Sequence, residues 1–182
     1  MYMRERLHIP AQEIGSLREK YFRDYGTTLR GLQANYVVDV QDFLAFVHDV
    51  PLTDYLRPDP EQQAVLASLR TRNLVFTNAD ANHAQRVLRA LDIEKYFSDI
   101  VDVNRLAPYC KPNPEAFAIA LQSAGETDPA KCVMIDDLPR NTRAAREFGM
   151  FAVLYGQNDS HPDADACFLN WRDFPGLLNG RP

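Results

Sequence analysis

From residue 61 onward, short apolar runs alternate with amphipathic stretches of helical length, and that alternation leaves the chain few folds to choose from. Glu61 to Leu69 sets Val65, Leu66 and Leu69 on one helical face, and Leu74-Val75-Phe76 then reads as a buried strand. A helix with Ala84, Val87, Leu88 and Leu91 inward follows, then a short strand near Ile100-Val101. Asn113 is expected to cap a helix with Pro114 in its first turn and Phe117, Ala120, Leu121 and Ala124 facing the core before Gly125. Val133-Met134-Ile135 reads as a strand, Asn141 to Phe148 as a helix stopped by Gly149, and Phe151 to Leu154 as a strand. Cys167-Phe168-Leu169 has room for a short last one. Strands separated by helices of this length imply βαβ units, so the fold class is α/β with a parallel sheet and right-handed crossovers.

The first fifty residues need no strand. Ile14, Leu17, Tyr21, Phe22 and Tyr25 recur at helical spacing after Pro10, and Gly26 is a natural stop. A short helix from Thr28 and a longer one with Val40, Phe43, Leu44 and Val47 on one face follow. The periodicity breaks at Pro51-Leu52-Thr53-Asp54 and at Arg57-Pro58-Asp59-Pro60, because proline lacks the backbone donor and turns its predecessor away from helix. A hinge is expected there, dividing the chain into a helical unit, 1–56, and an α/β core, 57–182.

Composition narrows the partners. Twenty basic against twenty-five acidic side chains give a net charge of -5, which disfavours nucleic acid and anionic membranes, so any phosphate must be held locally. No apolar run approaches membrane-spanning length and Met1 to Arg6 lacks a secretory h-region, so a cytoplasmic protein is expected. Cys110, Cys132 and Cys167 are widely spaced and odd in number, which suits reduced thiols that fill space. His8, His48, His83 and His161 form no close ligand pair, so zinc is not expected.

In an open parallel sheet, ligands sit beyond the carboxyl ends of the strands. Thr77 and Asn78 follow the first strand, a hydroxyl and an amide suited either to phosphate oxygens or to capping the next helix. Asp136 and Asp137 follow Val133-Met134-Ile135. Two carboxylates desolvated together call for a cation, and hard oxygen ligands favour magnesium; the alternative is a pair of solvated loop acids. Between them stands Tyr109-Cys110-Lys111-Pro112-Asn113-Pro114. Its lysine either faces solvent or joins the hydroxyl and the acid pair in handling a phosphoryl group.

These residues carry a family resemblance. Phe76-Thr77-Asn78, Cys110-Lys111-Pro112 and Ile135-Asp136-Asp137 with Asn141 resemble motifs two, three and four of the haloacid dehalogenase superfamily of magnesium-dependent hydrolases. Tyr21 to Leu32, with Phe46-Val47-His48-Asp49 and Tyr55 to Asp59, is similar to the helical cap of its pyrimidine 5'-nucleotidase branch. The resemblance implies a Rossmann-like parallel sheet with helices on both faces, a small all-helical cap, and hydrolysis of a small phosphate ester, a nucleoside monophosphate. It implies that Thr77 and the Asn78 backbone hold the phosphoryl group and that Lys111 offsets its charge. Asp136, Asp137 and Asn141 would serve Mg2+, and Leu29, Arg30, Gly31, Leu32 and His48 would meet the nucleoside. A receiver domain also joins paired acids, a threonine and a lysine around magnesium, but there the acid pair comes first in the chain and here it comes last.

One departure stands against these agreements. The family's nucleophile lies in motif one, an apolar strand ending D-x-D-x-T ahead of the cap, whereas this sequence begins inside the cap. Asp39-Val40-Gln41 and Asp137-Leu138-Pro139 lack a second carboxylate, and Asp80-Ala81-Asn82 is expected to begin a helix, so no downstream substitute is expected. By resemblance the missing strand is the central one, and the chain looks N-terminally shortened. Three readings follow: a nucleotidase in truncated form, a phosphatase of sugar phosphates, or a phosphate- and metal-binding remnant without turnover. Oligomeric state is left open.

Overall fold

Alternate residues of a strand face opposite sides of its sheet, and here each side meets helices. The computed structural model describes residues 2–178; Met1 and residues 179–182, the outer ends of the two expected units, lie outside the described residues. In β1 (Leu74–Phe76) and β2 (Asp99–Val101), Val75 and Ile100 pack with α6 (Pro60–Ser68) and α7 (Ala81–Ala90). Leu74, Phe76 and Val101 turn the other way, onto α8 (Pro114–Ala124). The same alternation holds in β3 (Val133–Asp136) and β4 (Phe151–Tyr155): Met134 and Ala152 meet α8 and α9 (Pro139–Phe148). Ile135 and Val153 meet α6 and α10 (Phe174–Leu177), together with Phe168 of β5 (Ala166–Phe168). The result is the expected three-layer α/β arrangement with every strand pair parallel.

The strands form two sheets. β1 pairs with β2, and β3, β4 and β5 pair in that order, so β1 and β3 each have one hydrogen-bonded strand neighbour. Their residues are correspondingly less covered than those of β4: all three of β1 are only partly buried and Val133 is exposed, whereas Ala152, Val153 and Leu154 are buried. Phe76 and Met134 nonetheless pack into one cluster around Phe117.

Residues 2–56 are helical: α1 (Tyr2–Glu5), α2 (Ala11–Tyr25), α3 (Thr28–Asn35), α4 (Val40–His48) and α5 (Leu52–Tyr55). They share an apolar cluster of Tyr2, Met3, Ile9, Ile14, Tyr21, Leu29, Leu32, Phe43 and Leu44, to which the core adds Val103. Gly26 ends α2 at φ 84°, a conformation that costs other residues strain. A Cβ there would stand 2.8 Å from Cys110 Sγ and 2.9 Å from the Lys111 carbonyl oxygen, so glycine also permits the helical corner to rest on the lysine loop.

Local chemistry set most boundaries where the sequence puts them. Thr27, Asp39, Asp59 and Asp80 cap α3, α4, α6 and α7 with side-chain oxygens. Asn113 differs from expectation: it precedes α8 without capping it, because its Oδ1 accepts from the Cys110 backbone N–H and tightens the lysine loop instead. The short α1, and α5 inside the proline-rich stretch, went unread, since a single helical turn offers too little periodicity.

Candidate active site

The ends of β1 and β3 come together through one side chain. Lys111 Nζ lies 2.7 Å from the carbonyl oxygen of Phe76, the last residue of β1, and 2.7 Å from Asp136 Oδ2 at the last position of β3. Lys111 and Asp136 are both buried, and the ammonium stands 4.9 Å from the centroid of the Phe76 ring. Taking both charges out of water is costly, so the pair persists only because surrounding groups complete it. Asp136 Oδ1 accepts from the Leu138 N–H at 3.0 Å and from Asn141 Nδ2 at 2.9 Å. Asn141 thereby holds the acidic loop against the first turn of α9.

The backbone of Lys111 is fixed from the β1 side. Asn78 pairs with it twice: Oδ1 accepts from the Lys111 N–H at 2.8 Å and Nδ2 donates to the Lys111 carbonyl at 3.0 Å. The amide side chain of Asn78 is thus fixed on Lys111 at both its oxygen and its nitrogen, and its backbone N–H, which donates to no described residue, is open to an anion. Thr77 does not cap α7, since Asp80 does; its Oγ1 accepts from the Ala79 N–H at 3.0 Å, and its own hydroxyl proton is free to be donated. Thr77, Asn78, Lys111, Asp136 and Asn141, distant in sequence, therefore form one connected cluster beyond the strand ends.

Asp137 stands apart. It is exposed and makes no hydrogen bond or ion pair with the described residues, so it is open to an external cation. Among the described residues no three His, Cys, Asp or Glu side chains gather into a metal cluster. A magnesium ion, which keeps several waters and needs only one or two carboxylates, fits a smaller set. Asn141 Oδ1, buried and without a hydrogen-bond partner beside Asp136, supplies an unsatisfied acceptor at that place. Asp136, Asp137 and Asn141 are the residues that would hold a hydrated magnesium ion, which would supply positive charge beside Lys111.

The helical unit meets this cluster at its Gly26 corner, which rests on Cys110 and Lys111. Leu29, Gly31 and Leu32 are buried within the helices, with Gly31 pressed on Tyr21. Arg30 donates to the carbonyls of Val103 and Tyr109, both at 2.9 Å, and so clamps α3 to the core. His48 faces Asp80, with Nδ1 2.5 Å from Oδ2. In this structure the five expected nucleoside contacts have packing and clamping partners, as an amphipathic helix gives the same pattern for either purpose.

Arg140, which the sequence reading passed over, reaches from α9 to the carbonyls of Phe22 and Gly26 and covers the Phe22 ring. It joins the acidic loop to the end of α2. Burial pushes its guanidinium down from the ordinary value, opposed by Cys110 and Asp136. Its place three residues after Asp137 was the available signal.

A D-x-D spacing also escaped the sequence reading. Asp163-Ala164-Asp165 has it, but precedes β5 rather than following a strand. Asp163 is paired with Arg143 at 2.7 Å, and Asp165 accepts from the Ala152 N–H at 2.9 Å. In register, Asp165 lies alongside Ala152 and Met134, near the amino ends of the parallel strands, whereas Asp136 lies at the opposite end. It takes no part in the cluster. Two surface hollows, about 380 Å³ beside Gln85 and Asp99 and about 540 Å³ beside Arg143 and Asp165, likewise lie away from Lys111.

The family model for haloacid dehalogenase-like hydrolases matches residues 3–149. The chain belongs to that family. Phosphate metabolism protein 8 of Saccharomyces cerevisiae is 33% identical over 157 residues, covering 79% of this chain and 49% of that protein. Beta-phosphoglucomutase of Bacillus subtilis is 34% identical over 102 residues, covering 56% of this chain and 44% of that one. The chain thus spans about half the length, 49% and 44%, of these curated relatives. Among solved structures, L-2-haloacid dehalogenase from Xanthobacter autotrophicus superposes with a TM-score of 0.62 at 17% identity, over 84% of this chain and 73% of that one, which is a likeness of fold. No helix among the described residues is long and apolar enough to cross a membrane.

Proposed function

We propose that the chain is the phosphate- and magnesium-handling part of a phosphomonoester hydrolase acting on nucleoside monophosphates, in a cytoplasmic setting, with residues 1–56 as its cap. The observation that carries this reading is Lys111, held by Asn78 and spanning Phe76 at the end of β1 and Asp136 at the end of β3. A phosphoryl group there would receive the Thr77 hydroxyl and the Asn78 N–H, while the Lys111 ammonium offsets its charge. Asp136 and Asp137, steadied by Asn141, would hold magnesium, which when bound supplies further positive charge to the phosphoryl oxygens. The cap would keep water away, its Gly26 corner resting on Lys111.

The nucleophilic carboxylate belongs, in this reading, to a strand that inserts between β1 and β3 and that these 182 residues do not supply. Support comes from the unmatched edges of β1 and β3 and from the exposure of Val133. A central strand would pair on both sides and cover that surface. The chain alone is then expected to bind without turnover.

A second reading, hydrolysis of sugar phosphates, is favoured by the similarity to a beta-phosphoglucomutase. The test is a panel of nucleoside and sugar phosphates, assayed with magnesium on a chain extended upstream by an apolar strand ending in D-x-D. A preference by kcat/KM for pyrimidine monophosphates supports the first reading and a preference for sugar phosphates replaces it. Phosphate release by the 182-residue chain itself, abolished by Asp136→Asn, would overturn the placing of the nucleophile outside it.

A further inference from the structure

The seam between α4 and α7 carries two imidazoles and a carboxylate that the proposed chemistry does not use. His48 ends α4, with Nδ1 2.5 Å from Oδ2 of Asp80, the cap residue of α7. Its ring stacks on that of His83, with centroids 4.0 Å apart and planes 14° from parallel. Nδ1 of His83 is buried and has no hydrogen-bond partner. Arg86, one turn further along α7, donates to the carbonyls of His48 and Val50, both at 2.9 Å. These contacts tie the helical unit to the core just before the proline-rich stretch 51–60.

We propose that His48, Asp80 and His83 form an acid-sensitive latch: with His83 neutral the cap is held on the core, and a proton gained by His83 opens the α4–α7 seam. Asp80 can balance a single proton. Its Oδ2 faces His48, and its Oδ1 accepts the His83 backbone N–H at 2.9 Å. A proton on His83 would place a cation with an unpartnered Nδ1 against the His48 ring at 4.0 Å, with Arg86 adding the same sign.

Among the described residues no carboxylate besides Asp80 is bonded to either imidazole. Asp102 is buried and takes the N–H groups of Ala81 and Arg105, and the side chain of Asn104. Asp49, following His48, and Asp54, on the α5 that packs against α7, make no hydrogen bond or ion pair with the described residues. Burial chiefly, then His48 and Arg86, hold His83 below its ordinary value against the pull of Asp80. Opening relieves that shift. The closed seam is therefore fully stable above the ordinary histidine value and loses stability as pH falls from there through the lowered one.

The latch sits on the loop that carries Thr77 and Asn78, so its opening would loosen both the cap and the phosphate-binding turn. This part rests on the proposed function; the latch itself does not. The experiment is amide hydrogen exchange of the full chain, corrected for intrinsic rates, from about pH 7.5 to about pH 5, where histidines titrate. Residues 40–48 are expected to lose protection by about tenfold as His83 gains charge over that interval, while β4 keeps its own. His83→Phe, which retains a stacked ring that cannot charge, is expected to abolish the response. Unchanged protection of residues 40–48, equal loss in β4, or a response retained in His83→Phe would each overturn the latch. Should that variant not fold, imidazole titration of the natural chain decides: His83 must protonate over the interval in which α4 loosens, and a midpoint at or above the ordinary value overturns the proposal.

Discussion

Lys111 and Asp136, 25 positions apart in sequence, meet at 2.7 Å with 10% and 5% of their side chains exposed, and this one ion pair links the ends of two separate sheets. Lys111→Met would leave the Asp136 carboxylate buried without its cation and the Phe76 carbonyl without its donor. Breaking a buried pair from one side costs about 3–5 kcal/mol. Urea unfolding of the variant should show a loss of that size, and Lys111→Met combined with Asp136→Leu should recover part of it. A loss under about 1 kcal/mol, the level of a surface pair, would mean that the pair is open to water.

Gly26 offers a second test. Its φ of 84° and the 2.8 Å and 2.9 Å contacts awaiting a Cβ both penalise alanine, one through backbone strain and the other by pushing the corner off Cys110 and Lys111. Gly26→Ala should destabilise by about 1–3 kcal/mol, whereas Gly15→Ala, with open space around it in mid-helix, should be stabilising by roughly 0.5–1 kcal/mol. Equal effects at the two positions would contradict the close approach of the Gly26 corner to the lysine loop.

Cys110 gives a pH-dependent signature. Burial raises its thiol above the ordinary value, against the lowering influence of Thr27, Arg30 and Arg140, and the residue is 0% exposed. Alkylation needs the thiolate, so a raised thiol stays protonated and unreactive to higher pH. Iodoacetamide labelling of the folded chain near pH 8, read by mass spectrometry, should leave Cys110 unmodified until the protein is denatured. Labelling of Cys110 at the rate of a free peptide thiol would show that the cap corner does not seal it.

Arg30 and Arg140 clamp the helical unit to the core by giving guanidinium protons to carbonyls of the opposite unit. Replacing either with methionine removes the guanidinium donor from a part-buried carbonyl, Val103 or Gly26, at a cost of about 1 kcal/mol. Limited proteolysis within residues 49–60 should speed up in both variants. Cleavage at the natural rate would argue that the clamps contribute nothing to closure.

Where a residue's role follows from its immediate neighbours in the chain, the sequence was enough. Val133-Met134-Ile135 alternates between two helical layers, Asp80 caps α7, and Thr77, Lys111 and Asp136 follow strands whose ends converge. Roles decided by distant partners were not legible. Leu29 and Leu32 show the same apolar spacing whether they face a ligand or Phe43, and Arg30 shows nothing in sequence of the Val103 and Tyr109 carbonyls that hold it. Asp163-Ala164-Asp165 illustrates the converse: its spacing suits a nucleophile, yet its place ahead of β5 commits it to Arg143 and the Ala152 N–H. His83 gave no signal either, because its stacking on His48 depends on how α4 lies across α7.

The central claim is that Thr77, Asn78, Lys111 and Asp136 form a phosphate site, and calorimetric titration of the chain with inorganic phosphate in the presence of magnesium tests it most directly. Binding is expected to weaken by about tenfold or more in Thr77→Val and in Lys111→Met, each loss being that of a hydrogen bond to a charged group. Lys131→Met, at an exposed lysine away from the cluster, should bind as the natural chain does. Phosphate affinity that is the same in all four proteins would contradict the account.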